Sequence, residues 1–227
     1  MRYSYRWWKN QPLLHDKTFM TLYDIKPAFQ NLLRPLVRRL ASYGVTANQV
    51  TIVTALISVC LGGWLCLSAV RHDWMQFYWL PLWMFLRMAF NAIDGMLARE
   101  FDQKTSLGAY LNELTDVVSD AALYLPFAFL PGYCIWPVLV FIWLSTLSEY
   151  TGALALMVQR PRSYCGPMGK SDRALVIGVL SLWIAYAGGN HLYWINYSPY
   201  LFTLLSILVT VNIVNRIRAG LKVPVQI

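Results

Sequence analysis

Residues 91–120 read NAIDGMLAREFDQKTSLGAYLNELTDVVSD, and this stretch decides the fold. It begins near the end of one long apolar segment, crosses a short polar link at 99–107 and runs into the start of the next. Three carboxylates, Asp94, Asp116 and Asp120, enter these two segments from the same side. A charge near the centre of a membrane helix costs about 2.5–3.5 kcal/mol on insertion scales, so carboxylates kept there mark a site.

Composition sets the surroundings. Of 227 residues, 57% are hydrophobic and 13% charged, with ten Trp and fourteen Tyr, and the mean hydropathy is +0.43. A soluble domain of this size needs a more polar surface. Residues 40–70 and 174–215 carry no charge. About 20 residues cross the hydrocarbon core as a helix. The pattern predicts an all-α polytopic membrane protein with spans at 48–70, 76–98, 108–130, 134–158, 173–189 and 199–216.

Eight of the nineteen Lys and Arg precede residue 40. Others fall in the second connection (Arg99, Lys104), the fourth (Arg160, Arg162, Lys170, Arg173) and after the last span (Arg216, Arg218, Lys222). The opposite side keeps Arg71, offset by Asp73, and uncharged turns at Pro131–Gly132 and 188–190. The positive-inside bias puts both termini and the Asp motif on the cytoplasmic face of a bacterial-type inner membrane. A net charge of +8 is accounted for by anionic lipid and phosphorylated substrates, with no nucleic acid needed.

Residues 24–41 read as an amphipathic helix lying on the membrane. Asp24 suits its cap, Pro27 its first turn, and Pro35 predicts a kink. Ile25, Phe29, Leu32, Leu33, Leu36 and Leu40 form an apolar face, with Lys26, Arg34 and Arg38 on another. The chain thus divides into a cytoplasmic segment 1–23, the interfacial helix 24–41, a six-helix transmembrane catalytic domain 42–218 and a cytoplasmic tail 219–227.

Within the motif, Asn91, Asp94 and Ala98 share one helical face, and Gly108, Asn112, Asp116 and Asp120 step along the next helix four at a time. The short link makes the two helices antiparallel neighbours, with Asp94 and Asn112 at similar depth. Gly95 and Gly108 leave the backbone bare there. Paired carboxylates flanked by amide oxygens are hard donors suited to Mg²⁺ or Mn²⁺.

Asn91-x2-Asp94-Gly95-x2-Ala98-Arg99-x8-Gly108-x3-Asn112-x3-Asp116 resembles the signature of the CDP-alcohol phosphotransferases, with Asn at two positions where that pattern has Asp. Asn48 and Thr51 resemble the family's approach to its first span. The resemblance implies transfer of a phosphoalcohol from a CDP-linked lipid donor, such as CDP-diacylglycerol, to an alcohol acceptor, with release of CMP. It implies Asp116 as general base and Asn91, Asp94, Asn112 and Asp116 as metal donors. Asn48, Thr51, Gly95, Ala98, Arg99 and Gly108 then accommodate CDP, and a homodimer is expected. With two Asn, one metal, a recruited further carboxylate or lost chemistry are the open outcomes; Asp120 is the better recruit, since Glu113 points about 100° away from Asn112.

Arg87 lies one turn deeper than Asn91, and Asp120 and Glu149 lie at comparable depth on other spans. An unpaired ion there is costly, so Arg87 is expected to pair with Asp120, Glu149 or both. Pairing with Arg87 competes with a metal role for Asp120. The basic loop from Arg160 to Arg173 runs into the fifth span. Arg162, Lys170, Ser171 and Arg173 are expected to bind the acceptor, phosphorylated or anionic.

The remaining features read as ordinary. No apolar signal segment opens the chain, and Met20 is an alternative start. Cys60, Cys66, Cys134 and Cys165 lack metal or redox spacing, and His15, His72 and His191 are isolated. Two other readings stand beside the enzyme: a transporter using Arg87, Asp116, Asp120 and Glu149 as a relay, and a non-catalytic relative that binds lipid or nucleotide.

Overall fold

The first long apolar helix starts at a capping box. Thr46 Oγ1 accepts from the Gln49 amide at 3.2 Å, while the Gln49 side chain accepts from the Thr46 amide at 2.9 Å. The structure, a computed structural model, describes residues 22–158, 162–163, 166–188 and 197–221. The segment 1–21 (with Met20 and His15), Arg160, Cys165, His191, the end of the turn at 188–190 and the tail beyond 221 lie outside the described residues. So do the side chains of Asp24, Ile25, Lys26 and Pro27.

Among the described residues the architecture is seven α-helices, with no strand. They are α1 (Leu22–Ser42), α2 (Ala47–Val70), α3 (Trp79–Glu100), α4 (Ser106–Tyr124), α5 (Ile135–Leu154), α6 (Lys170–Ala187) and α7 (Ser198–Leu221). Short 3₁₀ turns at Trp74–Tyr78, Leu125–Phe129 and Ala155–Val158 lead into α3, extend α4 and extend α5. Each expected segment is helical. α6 begins three residues before its expected start, because the Asp172 carboxylate accepts from the Gly169 amide at 3.0 Å and caps the helix there.

α2, α5 and α7 are long and apolar enough to cross a membrane. α3, α4 and α6 carry the site's charges, which lowers their hydropathy. Burial in α2 is inverted relative to a soluble helix. Thr51, Thr54, Ser58, Gly62 and Ser68 face inward, while Ile52, Val53, Leu56, Val59 and Leu67 face out. The inward hydroxyls are satisfied locally: Thr54 and Ser58 bond the carbonyls four residues back, and Trp83 Nε1 donates to Ser58 Oγ at 2.9 Å. Large apolar side chains facing outward are suited to lipid rather than water.

α2 packs against both α3 and α4, α5 against α7, and α6 against α3 and the 74–78 turn. Gly62 permits the closest approach: a Cβ there would lie 2.3 Å from the Ala122 carbonyl oxygen. α3 and α4 each pack on α2 and meet one another, as expected of neighbours, through polar side chains: Arg87 pairs with Asp120, and Asn91 donates to Asp116.

The main core lies away from these polar contacts. Phe77, Phe127, Phe202, Phe141 and Tyr124 form a chain of ring contacts with centroids 5.5–6.0 Å apart. A second, smaller cluster joins α1 to α3 through Val37, Ala47, Ile93, Met96 and Leu97, with Leu33, Leu40 and Ala98 against it. The expected apolar face of α1 is therefore divided. Leu33 and Leu40 pack on the protein, Val37 is the buried centre, and Leu32 and Leu36 stay exposed. Arg34, on the expected basic face, pairs with Glu100 at 3.1 Å and pins α1 to the end of α3. α1 is helical on both sides of Pro35.

Candidate active site

Two further contacts bring the ends of α2, α3 and α4 together. Gln103, in the link after α3, accepts from the Ala47 amide at 2.7 Å. Thr105 caps α4 by accepting from the Gly108 amide at 2.9 Å. Between these ends opens a cavity of about 580 Å³. Asn91, Asp94 and Gly95 of α3 and Asn112 and Asp116 of α4 line it, and Arg99, Arg162, Lys170 and Arg216 supply positive charge at its wall.

Asp94 is buried and accepts from Thr51 Oγ1 at 2.9 Å. Thr51 also donates to the Ala47 carbonyl, which fixes its rotamer. Asp116 Oδ1 receives three groups: Lys170 Nζ at 2.6 Å, Arg87 Nη2 at 3.1 Å and Asn91 Nδ2 at 3.3 Å. The Asn91 amide thus bonds directly to a carboxylate that an aspartate at that position would repel. Glu149 and Asp172 also line the cavity, but arginines hold the first and the second caps α6, which leaves as its donor set Asp94 and Asp116 with the amides of Asn91 and Asn112. These hard oxygens fit a divalent cation, although the described residues hold no group of three or more His, Cys, Asp or Glu suited to a metal.

The expected CDP residues fall in three places. Gly95 and Arg99 line the cavity, and Thr51 acts on it through Asp94. Asn48 and Gly108 meet at the helix ends, where a Cβ on Gly108 would lie 2.7 Å from Asn48 Oδ1. Ala98 belongs to the α1–α3 cluster.

A buried ion-pair network continues below the cavity. Arg87 pairs with Asp120, as expected, and also donates to the Asp116 backbone carbonyl at 3.0 Å. Asp120 does not line the polar cavity, and its other oxygen lies 3.7 Å from Arg173. Glu149 is not the partner of Arg87. It accepts from Arg173 at 2.7 Å and Arg162 at 2.9 Å, with Arg216 at 3.6 Å. α5 packs on α4 and α7, which turns Glu149 toward those arginines and away from α3.

Arg173, expected on the acceptor side, is fully buried, with its donors on Glu149 and the Met168 carbonyl. Lys170 and Ser171 do line the cavity, as does Arg162. Sequence reasoning missed two participants. Arg216 reads as an ordinary cytoplasmic charge, yet it is buried and donates to the Ser148 carbonyl. Glu113, set aside because it points away from Asn112, is paired with Arg162. The signal for Arg216 was its place four residues after Asn212, which is itself buried and bonded to Ser148.

These features define a class of all-helical membrane protein whose carboxylates and amides share one charge-lined cavity at the helix ends. The chain belongs to the CDP-alcohol phosphatidyltransferase family, whose model matches residues 44–212. It is 44% identical over 208 residues to the inner membrane protein YnbA of Escherichia coli (strain K12), covering 92% of this chain and 100% of that one. It is 29% identical over 174 residues to the archaetidylinositol phosphate synthase of Pyrococcus horikoshii, covering 75% and 87%. In fold it is similar to the Mycobacterium tuberculosis phosphatidylinositol phosphate synthase. The form with CDP-DAG bound gives a TM-score of 0.63 at 20% identity over 84% of this chain and 94% of that one. The form with manganese and citrate gives 0.64 at 19% identity, over 84% and 89%.

Proposed function

We propose that the protein transfers a phosphatidyl group from a CDP-linked lipid donor, CDP-diacylglycerol or a close relative, to an alcohol acceptor and releases CMP. The observation that carries this reading is that two cavities share Asn91, Lys170 and Ser171. One is the polar cavity of Asp94 and Asp116. The other, of about 420 Å³, lies between α3 and α6 and is walled by apolar residues including Met84, Phe85, Met88, Leu175, Val179 and Leu182. A donor with a charged diphosphate and a hydrocarbon tail matches that junction, whereas a soluble nucleotide leaves the apolar cavity unused.

In the reaction, the acceptor hydroxyl oxygen attacks the phosphorus that carries the lipid. The bond from that phosphorus to the bridging oxygen breaks, and the electron pair leaves on the CMP phosphate. Asp116 takes the hydroxyl proton as general base; with Oδ1 held by Lys170, Arg87 and Asn91, the proton goes to Oδ2. Asp94 and Asp116, with Asn91 and Asn112, would hold Mg²⁺ or Mn²⁺, which would supply charge neutralisation at the diphosphate. Asp120 serves as counter-ion to Arg87 and Arg173 rather than as a metal donor. Gly95 and Arg99 shape the CDP side, with Asn48, Thr51, Ala98 and Gly108 around it. Arg162, Lys170 and Ser171 face the acceptor, which is accordingly phosphorylated or anionic.

In the same reading, α2 to α7 are six spans of an inner membrane, α1 lies at the cytoplasmic interface with both termini, and the enzyme works as a homodimer. Leu32 and Leu36 are the exposed apolar residues α1 offers to lipid.

The test is purified protein with CDP-diacylglycerol, Mg²⁺ or Mn²⁺ and a panel of acceptors (inositol phosphate, glycerol phosphate, serine), scored by CMP release. CMP should form with at least one acceptor, and Asp116→Asn should abolish it while CDP still binds. Nucleotide binding without turnover across the panel would instead support a binding protein.

A further inference from the structure

We infer that Lys170 takes the place of a second divalent cation, so that the polar cavity holds one metal ion and one ammonium. This rests on the phosphatidyltransferase reading for the nucleotide; the ion count stands on the donors alone. Of the four carboxylates lining the cavity, Glu149 is taken by three arginines and Asp172 by the Gly169 amide, so Asp94 and Asp116 bring the charge to the donor set, positions 91 and 112 being amides. Two carboxylates carry −2, which one divalent ion neutralises; a second would leave +2 in a partly buried site. Arg87, which also reaches Asp116, is already matched by Asp120.

Lys170 has the placement such a substitute needs. It is the first residue of α6, its side chain is 31% exposed against 0% for Arg173, and its ammonium sits 2.6 Å from Asp116 Oδ1. A flexible stem lets that charge swing between Asp116 and an incoming diphosphate, as the buried guanidinium of Arg173 cannot. Lys170 also lines both cavities, at the junction where the diphosphate of a lipid donor would lie. The Asn91 amide completes the arrangement by donating to the same Asp116 oxygen, a bond an aspartate cannot make.

The experiment counts Mn²⁺ bound to the purified full-length protein in nanodiscs, by titration with electron paramagnetic resonance, with and without CDP. The expected result is one Mn²⁺ per chain in both conditions. Lys170→Gln should bind Mn²⁺ about tenfold more tightly without CDP, since a like charge a few ångströms from the ion is gone. Lys170→Arg should bind as the wild type does. Adding Asn91→Asp and Asn112→Asp to Lys170→Gln should raise the count to two. Two ions in the wild type, none, or a Lys170→Gln affinity equal to that of the wild type would each overturn the inference. Thermal melting of each variant separates lost binding from lost fold, and the Lys170→Arg and wild-type counts decide the case if Lys170→Gln does not fold. One Mn²⁺ per chain with no CMP released from any donor would sink the enzymatic reading and leave the ion count standing.

Discussion

Arg173 Nη2 lies 2.7 Å from Glu149 Oε1, and both side chains are buried. The pair joins α5 to α6 across 24 residues and sits at the centre of a network with Arg162, Arg216, Asp120 and Arg87. Glu149 serves three guanidinium groups, so the two halves of the pair are not equivalent.

Glu149→Gln removes the negative charge that three arginines share, two of them buried. It should destabilise the protein by about 3–5 kcal/mol, the range for removing one partner of a buried ion pair. Arg173→Met leaves Glu149 with Arg162 at 2.9 Å and should cost less. Chemical unfolding in detergent compares the two; equal losses would mean the network does not share Glu149 as described.

Gly62→Val tests the α2–α4 contact. A Cβ at this position would meet the Ala122 carbonyl oxygen at 2.3 Å, and a backbone atom cannot swing aside. The expected loss is about 1–3 kcal/mol, as for overpacking elsewhere. Gly63→Val next to it, where nothing lies within 4 Å, should be close to neutral in the same measurement.

Thr51→Val removes the hydroxyl that donates to Asp94 and keeps the side chain's shape. A lost hydrogen bond to a charged group is worth about 1.5–3 kcal/mol, so CMP release should fall on the order of tenfold or more. The melting temperature should change little by comparison. Activity at the wild-type level would show that Asp94 needs no orientation from α2.

Ala174→Phe puts a ring into the apolar cavity between α3 and α6. It should raise KM for a long-chain donor by about tenfold, since each displaced methylene costs about 0.8 kcal/mol. Affinity for CDP itself should hold. A parallel loss of CDP binding would place the nucleotide, not the lipid, in that cavity.

The helices were legible in the sequence because apolar periodicity and caps are local. The uncharged runs at 40–70 and 174–215 and the polar link at 99–107 announce where helices lie and what solvent they meet. The carboxylate–amide motif was legible for the same reason, since spacing of three and four fixes a helical face. Depth pointed Arg87 to Asp120, Glu149 or both, and the structure takes Asp120.

Which charge meets which was not legible beyond that pair. Arg173 looked like a phosphate ligand and proved a buried partner of Glu149, while Arg216 looked like a topological marker and proved part of the same network. Spacing along one helix says nothing about the rotation and depth of its neighbours, and those set every contact between α4, α5, α6 and α7. The sequence by itself determined an all-helical chain with a carboxylate–amide face at its helix ends. Only tertiary packing decided that α2 would hold both α3 and α4, and that Lys170 would settle on Asp116, because both depend on how helix faces fill space together.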